Sequence, residues 1–289
     1  MNAILRCVLV LALGALTATE AQSQAEIEAL MAQVSDRVAD FYNRAKSVMC
    51  IETSRVQNLD AFSAPVGFVR TVESELRIEP SDQAAGEATF VRTVRKVNGR
   101  FVRENDSRHR DGCTDPNPLS SEPLAFVLPV RRPEYEFKFA GSGTDRNRRA
   151  LIIAFSSVNR RSNPELIEDP GGHENCFDWT GHIASSGRIW VDAANYDVLR
   201  VDRRLRGPVD VKVPTILQRR HQLDPFVVIV REDVTMRYQT VKFSDPDEVL
   251  LLPEAIESFM VIRGGLQSTR RSQTFSDYRR FVAEGKVLP

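Results

Sequence analysis

Lysine is scarce in this chain: six of its 39 basic side chains are Lys and the rest are Arg. Histidine, cysteine and tryptophan are also sparse, at four, four and two residues in 289. No G-x-S-x-G, C-x2-C or H-E-x-x-H occurs, so the sequence carries no recognisable hydrolase or zinc motif. Neither sign of charge is in excess, since 39 acidic residues balance the 39 basic ones. That balance argues against a nucleic-acid binder driven by phosphate neutralisation. No apolar run is long enough to span a bilayer. What is present, 42% apolar and 27% charged residues, is the mixture of a chain that folds around a core.

The N-terminus reads as an export signal. Arg6 is followed by Cys7-Val8-Leu9-Val10-Leu11-Ala12-Leu13-Gly14-Ala15-Leu16, and small residues lead to Ala21. Residues 1–21 are therefore expected to be a signal peptide and 22–289 a single β-rich domain, exported to a periplasmic or extracellular setting and soluble there. Losing that segment removes Arg6 and Glu20 together and leaves the charge at zero. It also leaves three cysteines. Cys113 and Cys176 lie in polar Gly/Pro-containing loops, which adapt to the short separation a disulfide needs, so they are the expected pair. Cys50, between Met49 and Ile51 at the start of a strand, reads as a buried thiol. Its pairing with either of the others stays open.

One long helix is expected over residues 25–47. Ile27, Leu30, Met31, Val34, Val38, Phe41 and Tyr42 recur at helical spacing. Period-two patterns follow. Residues 67–79 place Phe68, Val72, Leu76 and Ile78 on one face, interrupted by Arg70 and Ser74. Asn98-Gly99 predicts a tight hairpin between 90–97 and 101–104. Further hairpins are expected from 135–140 with 150–158 and from 187–193 with 198–205. Strands are also expected at 226–243 and 274–283, and short ones ended by proline at 209–213 and 249–252. Short helical turns are expected at 122–128 and 214–221, and 159–186 reads as a long irregular stretch. The fold class is α+β, predominantly antiparallel: a half-open curved sheet with one amphipathic helix packed on it.

Chemistry-bearing clusters are few. His173, Cys176 and His182, with Cys113 as a fourth ligand, would suit a tetrahedral zinc, and a metal-dependent hydrolase is one reading. The spacing matches no named zinc site, so no metal, catalytic residue or cofactor is assigned. Arginine pairs such as Arg131-Arg132, Arg203-Arg204, Arg270-Arg271 and Arg279-Arg280 are spread along the chain. They discourage sheet edges from pairing, or hold an anionic head group. The remaining feature is an apolar sheet face carrying Phe68, Val72, Leu76, Tyr135, Phe137, Phe139, Trp190 and Tyr238. Fully covered, it is a core, and the chain is a structural or interaction module of the cell envelope. Left concave, it lines a pocket for an acyl chain or a lipidated peptide.

The signal segment, the first helix and the run of hairpins resemble the LolA/LolB outer-membrane lipoprotein-sorting superfamily. Gly187-Arg188-Ile189-Trp190-Val191-Asp192 turning into Asp197-Val198-Leu199-Arg200-Val201-Asp202 is similar to that superfamily's half-barrel hairpins. Leu252-Pro253-Glu254 and Ser276-Asp277-Tyr278-Arg279-Arg280-Phe281 look like the closing strands of related uncharacterised exported bacterial proteins. The likeness covers the last hundred residues by pattern and the rest by architecture. It implies a half-open antiparallel barrel with a helical lid, and a non-enzymatic carrier whose partners are a lipid or lipidated protein and the cell envelope, with no nucleic acid.

Overall fold

The computed structural model describes residues 2–80, 88–102, 124–159, 163–169, 176–181, 183–244 and 247–280, with side chains from residue 24 onward except at 79, 80, 88 and 89. His109, Cys113, His173 and His182 lie outside the described residues. Helix α1 runs from Asn2 to Ala45. Its buried stripe of Ile27, Met31, Val34, Val38, Tyr42 and Ala45 follows the three- and four-residue spacing of the sequence. The helix therefore starts well before residue 25 and stops two residues short of 47, where Ser47 takes a left-handed turn at φ 73°.

Among the described residues fourteen strands follow: β1 (Val48–Leu59), β2 (Pro65–Pro80), β3 (Ala88–Val97), β4 (Arg100–Phe101), β5 (Tyr135–Asp145), β6 (Arg148–Ser157) and β7 (Glu165–Glu168). Then come β8 (Phe177–Thr180), β9 (Ser185–Asp192), β10 (Val198–Leu205), β11 (Val209–Lys212), β12 (Phe226–Ser244), β13 (Asp247–Arg263) and β14 (Ser268–Arg280). A short helix α2 (Thr215–His221) and 3₁₀ turns at Ala125–Val127 and Arg132–Glu134 complete the elements. The strands form one open sheet in the order β4-β3-β2-β1-β14-β13-β12-β10-β9-β6-β5, with β11, β7 and β8 attached beside β12. Apart from one residue of β11 against β7, the pairing is antiparallel.

Several expected turns stand where the residue types put them. Asn98 and Gly99 both have positive φ, as a two-residue hairpin turn requires. The β5–β6 turn falls at Arg146–Asn147, later than expected, because Gly141 to Asp145 continue the strand beyond a bulge. The stretch 159–186 is not uniformly irregular, since it holds β7 and β8. Proline does not end β13 at residue 252. The strand passes through Pro253 beside a bulge of its own, where the extra residue Glu254 lies between the partners of Arg237 and Tyr238, and the Tyr278 hydroxyl donates to the Pro253 carbonyl at 2.5 Å.

The face toward α1 is the inner one. Its main apolar cluster joins the helix stripe to Val48, Leu76, Ile78, Ile153, Phe155, Ile189, Val201, Met236 and Leu252. A second cluster, at the β11–α2 end, gathers Leu166, Val211, Leu217, Val227, Ile229 and Ile262.

Candidate functional site

Directly paired residues share a sheet face, so the register converts the sequence into rows. One inner row reads Phe139, Ile153, Ile189, Val201, Met236, Ile256, Gln273, Ser54 and Val72. The next reads Phe137, Phe155, Gly187, Arg203, Val234, Ser258, Arg271, Val56 and Arg70. The first row is apolar from β5 to β13 and meets Gln273 and Ser54 on β14 and β1, while the second already carries Arg203 on β10 and Ser258 on β13 before Arg271 and Arg70. In that polar quarter Glu52 is fully buried; its two carboxylate oxygens accept from Arg92 Nε and Gln273 Nε2, each at 2.6 Å. Burial lowers the Arg271 pKa, and the Glu52 charge acts against that shift. Burial also pushes the Cys50 thiol up to about 12, with the Glu52 charge adding to the effect.

The eight expected ligand-face residues divide among several places. Leu76 and Tyr238 are buried in the main cluster, with Tyr135 and Phe137 packed against it. Tyr135 lies 5.5 Å from Phe126 and 6.3 Å from Phe137 between ring centroids, so these aromatics fill space beneath the 3₁₀ turns. Val72 is buried, Phe139 is 56% exposed on the last strand, and Phe68, beyond the reach of α1, is fully exposed. Trp190 sits on the outer face, because Ile189 and Val191 on either side of it point inward; the Arg200 guanidinium lies 4.5 Å from its ring. Cys176 is disulfide-bonded, while Cys50 is a free buried thiol.

A cavity of about 240 Å³ opens at the seam between α1 and the sheet. Val38 and Phe41 form its roof, and Tyr238, Val198, Leu250 and Leu251 its floor. Arg37, Asp40, Arg44, Arg148 and Asp197 ring the mouth. These charges pin the helix down. Arg37 donates to Asp197 Oδ1 from Nε at 3.0 Å and Nη2 at 2.8 Å, and Arg44 reaches Glu248 and the Val249 carbonyl. The last carbonyls of a helix need donors from elsewhere. Arg280 Nη1 supplies them, giving hydrogen bonds to the Arg44 and Lys46 carbonyls at 2.7 and 2.8 Å. Further along, the Ser35 hydroxyl donates to the Val127 carbonyl, and the Leu124 N–H donates to the Tyr42 hydroxyl at 3.2 Å.

One polar group of a residue lining this cavity is buried behind its wall. The Tyr238 hydroxyl is buried without a hydrogen-bond partner, and burial raises its pKa. A buried hydroxyl without a partner costs roughly 1–3 kcal/mol, so Tyr238 is a polar point inside an apolar seam. The sequence names Tyr238 but not its neighbours, because Thr240, Asn195 and Asp197 look like turn and outer-face residues until the register is known. Among the described residues, no group of His, Cys, Asp and Glu is arranged to hold a metal ion. His221 instead packs against Phe177 and Glu168.

A second concavity of about 550 Å³ lies on the outer face, lined by Arg55, Gln57, Asp233, Thr235, Glu257, Phe259, Arg270 and Ser272. Arg231 and Arg270 stand 5.0 and 5.7 Å from the Phe259 ring centre.

No protein-family model matches the chain, and no curated protein matches it in sequence. Among solved structures it is similar to a LolA superfamily protein from Nitrosomonas europaea, at 9% identity over 89% of this chain and 93% of that one, TM-score 0.33. It is similar to a DUF1329 family protein from Desulfovibrio piger, at 10% identity over 87% and 95%, TM-score 0.35. Pseudomonas aeruginosa MucB in its complex with MucA is a further likeness, at 9% identity over 86% and 99%, TM-score 0.22.

Proposed function

We propose that this chain is an exported, non-enzymatic binding protein that holds an acyl-type or other apolar ligand at the seam between α1 and the inner sheet face. The observation that carries the reading is the α1 seam cavity, walled by Val38, Phe41, Val198, Leu250 and Leu251 and ringed by charges at its mouth. Apolar walls supply affinity at roughly 0.8 kcal/mol per methylene buried. The charged mouth keeps the head of an amphiphile in water. At about 240 Å³ the cavity lies just under the usual span of small-molecule pockets, so it suits one apolar segment rather than a whole lipid.

Native mass spectrometry of protein purified from its exported compartment without detergent tests this. The expected result is a discrete added mass of lipid size, lost on denaturation. It should disappear in Thr240→Trp, which places a bulky ring at an exposed position of the cavity wall. A bare mass that persists after incubation with phospholipids and fatty acids overturns the reading.

A second reading, a cell-envelope interaction module, is favoured by the outer concavity. There Arg231 and Arg270 stack on Phe259, a combination suited to docking a protein surface. Phe259→Ala that abolishes capture of an envelope partner, while leaving ligand mass unchanged, would promote it.

A further inference from the structure

The outer concavity spans five neighbouring strands, from Asp233 on β12 to Val69 on β2. Its acidic lining residues are already taken. Asp233 is paired with Arg231 at 2.5 Å and Glu257 with Arg237 at 3.6 Å. Arg55 and Arg270 differ: both are exposed, and among the described residues neither meets a carboxylate. The Arg270 guanidinium lies against the Phe259 ring instead. The β1–β14 register pairs Arg55 with Ser272 and Gln57 with Arg270, so the two arginines stand at diagonal positions, about 7–8 Å apart at their roots. Two like charges so close repel each other, and a partner's carboxylates would relieve that repulsion.

These arginines lie between two apolar side chains. Phe259 on β13 is on one side, and Val69 on β2, exposed beside the bulge of the β1–β2 pairing, is on the other. Across β13, β14, β1 and β2 the order is therefore apolar, basic, basic, apolar. With neighbouring strands about 4.8 Å apart, Phe259 and Val69 are separated by about 14 Å, the reach of about four extended residues. A bilayer suits this surface poorly. The apolar groups lie in a hollow rather than projecting, and two charges draw a protein only weakly to anionic lipid. A free anion would use the arginines and leave Phe259 and Val69 without a contact.

We propose that the outer concavity docks an acidic segment of another protein, whose carboxylates meet Arg55 and Arg270 and whose flanking apolar side chains cover Phe259 and Val69. This rests on the second reading above, in which the concavity is an interaction surface, and gives that surface a partner chemistry. The planar guanidinium forks supply directional contacts to carboxylates, and Phe259 supplies the apolar anchor. Both arginines are solvated before docking, so each contact is modest and the association is sensitive to salt.

Fluorescence anisotropy of the full chain with labelled hexapeptides tests the pairing. The probes carry two glutamates, one to three positions apart, between leucines; the controls carry glutamine or lysine in their place. At least one glutamate peptide should bind about tenfold or more tightly than its glutamine control, and rising salt should weaken it. Arg55→Glu and Arg270→Glu, both at exposed positions, should each weaken that peptide by about tenfold, and the double exchange should take the lysine peptide instead. An unchanged melting temperature confirms the fold of each variant. Glutamine and glutamate peptides that bind alike, both weakened in Phe259→Ala, overturn the acidic pairing and leave the interaction surface standing. Absence of binding by every peptide overturns the proposal too, and the Phe259→Ala capture experiment then decides the surface separately. Inorganic phosphate or phosphatidylglycerol vesicles that displace the peptide at concentrations as low as its own also overturn it, by making the arginines a phosphate or lipid site.

Discussion

Gly187 stands on an inner row between Phe155 and Arg203, and a Cβ there would meet the Asp202 carbonyl oxygen at 1.9 Å and the Phe155 ring at 2.8 Å. Gly187→Ala should therefore cost about 3 kcal/mol or more, the upper range for overpacking, seen as a lowered urea midpoint with unchanged slope. Tyr238→Phe should do the opposite. Removing a buried hydroxyl that bonds to nothing raises the melting temperature, while the same change weakens binding of any ligand that uses it. A variant that is less stable and binds equally well would remove Tyr238 from the site. Cys50 gives a pH dependence. Its thiol is protonated in the fold, with its pKa pushed from 9.0 to about 12, whereas the unfolded chain ionises from about pH 9. Stability is thus unaffected by this group below pH 9 and falls as pH rises from there toward 12, and Cys50→Ala should flatten the urea midpoint over that window. Such residues were only partly legible in the sequence. Arg70 and Ser74 read as interruptions of an apolar face, and Glu52 drew no attention. A buried polar residue looks in one dimension like an exposed one, and only its partners across the sheet distinguish them.

At the scale of elements, α1 is a cover held by side chains from distant strands. Its apolar stripe was plain in the sequence because helical periodicity is local. Its fastening was not, because Arg280 lies 236 positions from Arg44. Arg280→Ala should remove the donors that close the helix end, leave Glu248 with Arg44 as its remaining ion pair, and cost about 2 kcal/mol. Hydrogen exchange at residues 40–45 reads the loosening directly, and unchanged protection there would show that the helix end is held by packing alone. The strands divide in the same way. Hairpins marked by Asn98-Gly99 or by the loop at Ala194–Asp197 were readable, since a turn is local chemistry. The passage of β13 through Pro253 was not, since it depends on the extra residue Glu254 that β13 takes up against Arg237 and Tyr238 of the strand alongside.

For the whole molecule, the sequence pointed to the fold class and to one packed helix, and the open antiparallel sheet agrees with both. It did not say which aromatic residues cluster. Trp190 and Phe137 both sit in alternating strands, and parity relative to the core decides between them. The row positions come from register, which is a property of pairs of strands. One such pair has a consequence for how the chain acquires its structure. β1, near the N-terminus, is flanked by β2 on one side and by β14 on the other, so that Gln273 bonds to Glu52 across 221 positions. Pairings so far apart in sequence form late and slowly, because the intervening loop must lose its freedom before any contact rewards it. A chain emerging N-terminus first can close the β1–β2 hairpin early, but it exposes a bare β1 edge until its final strand has arrived. During that interval it is prone to mispairing with its neighbours.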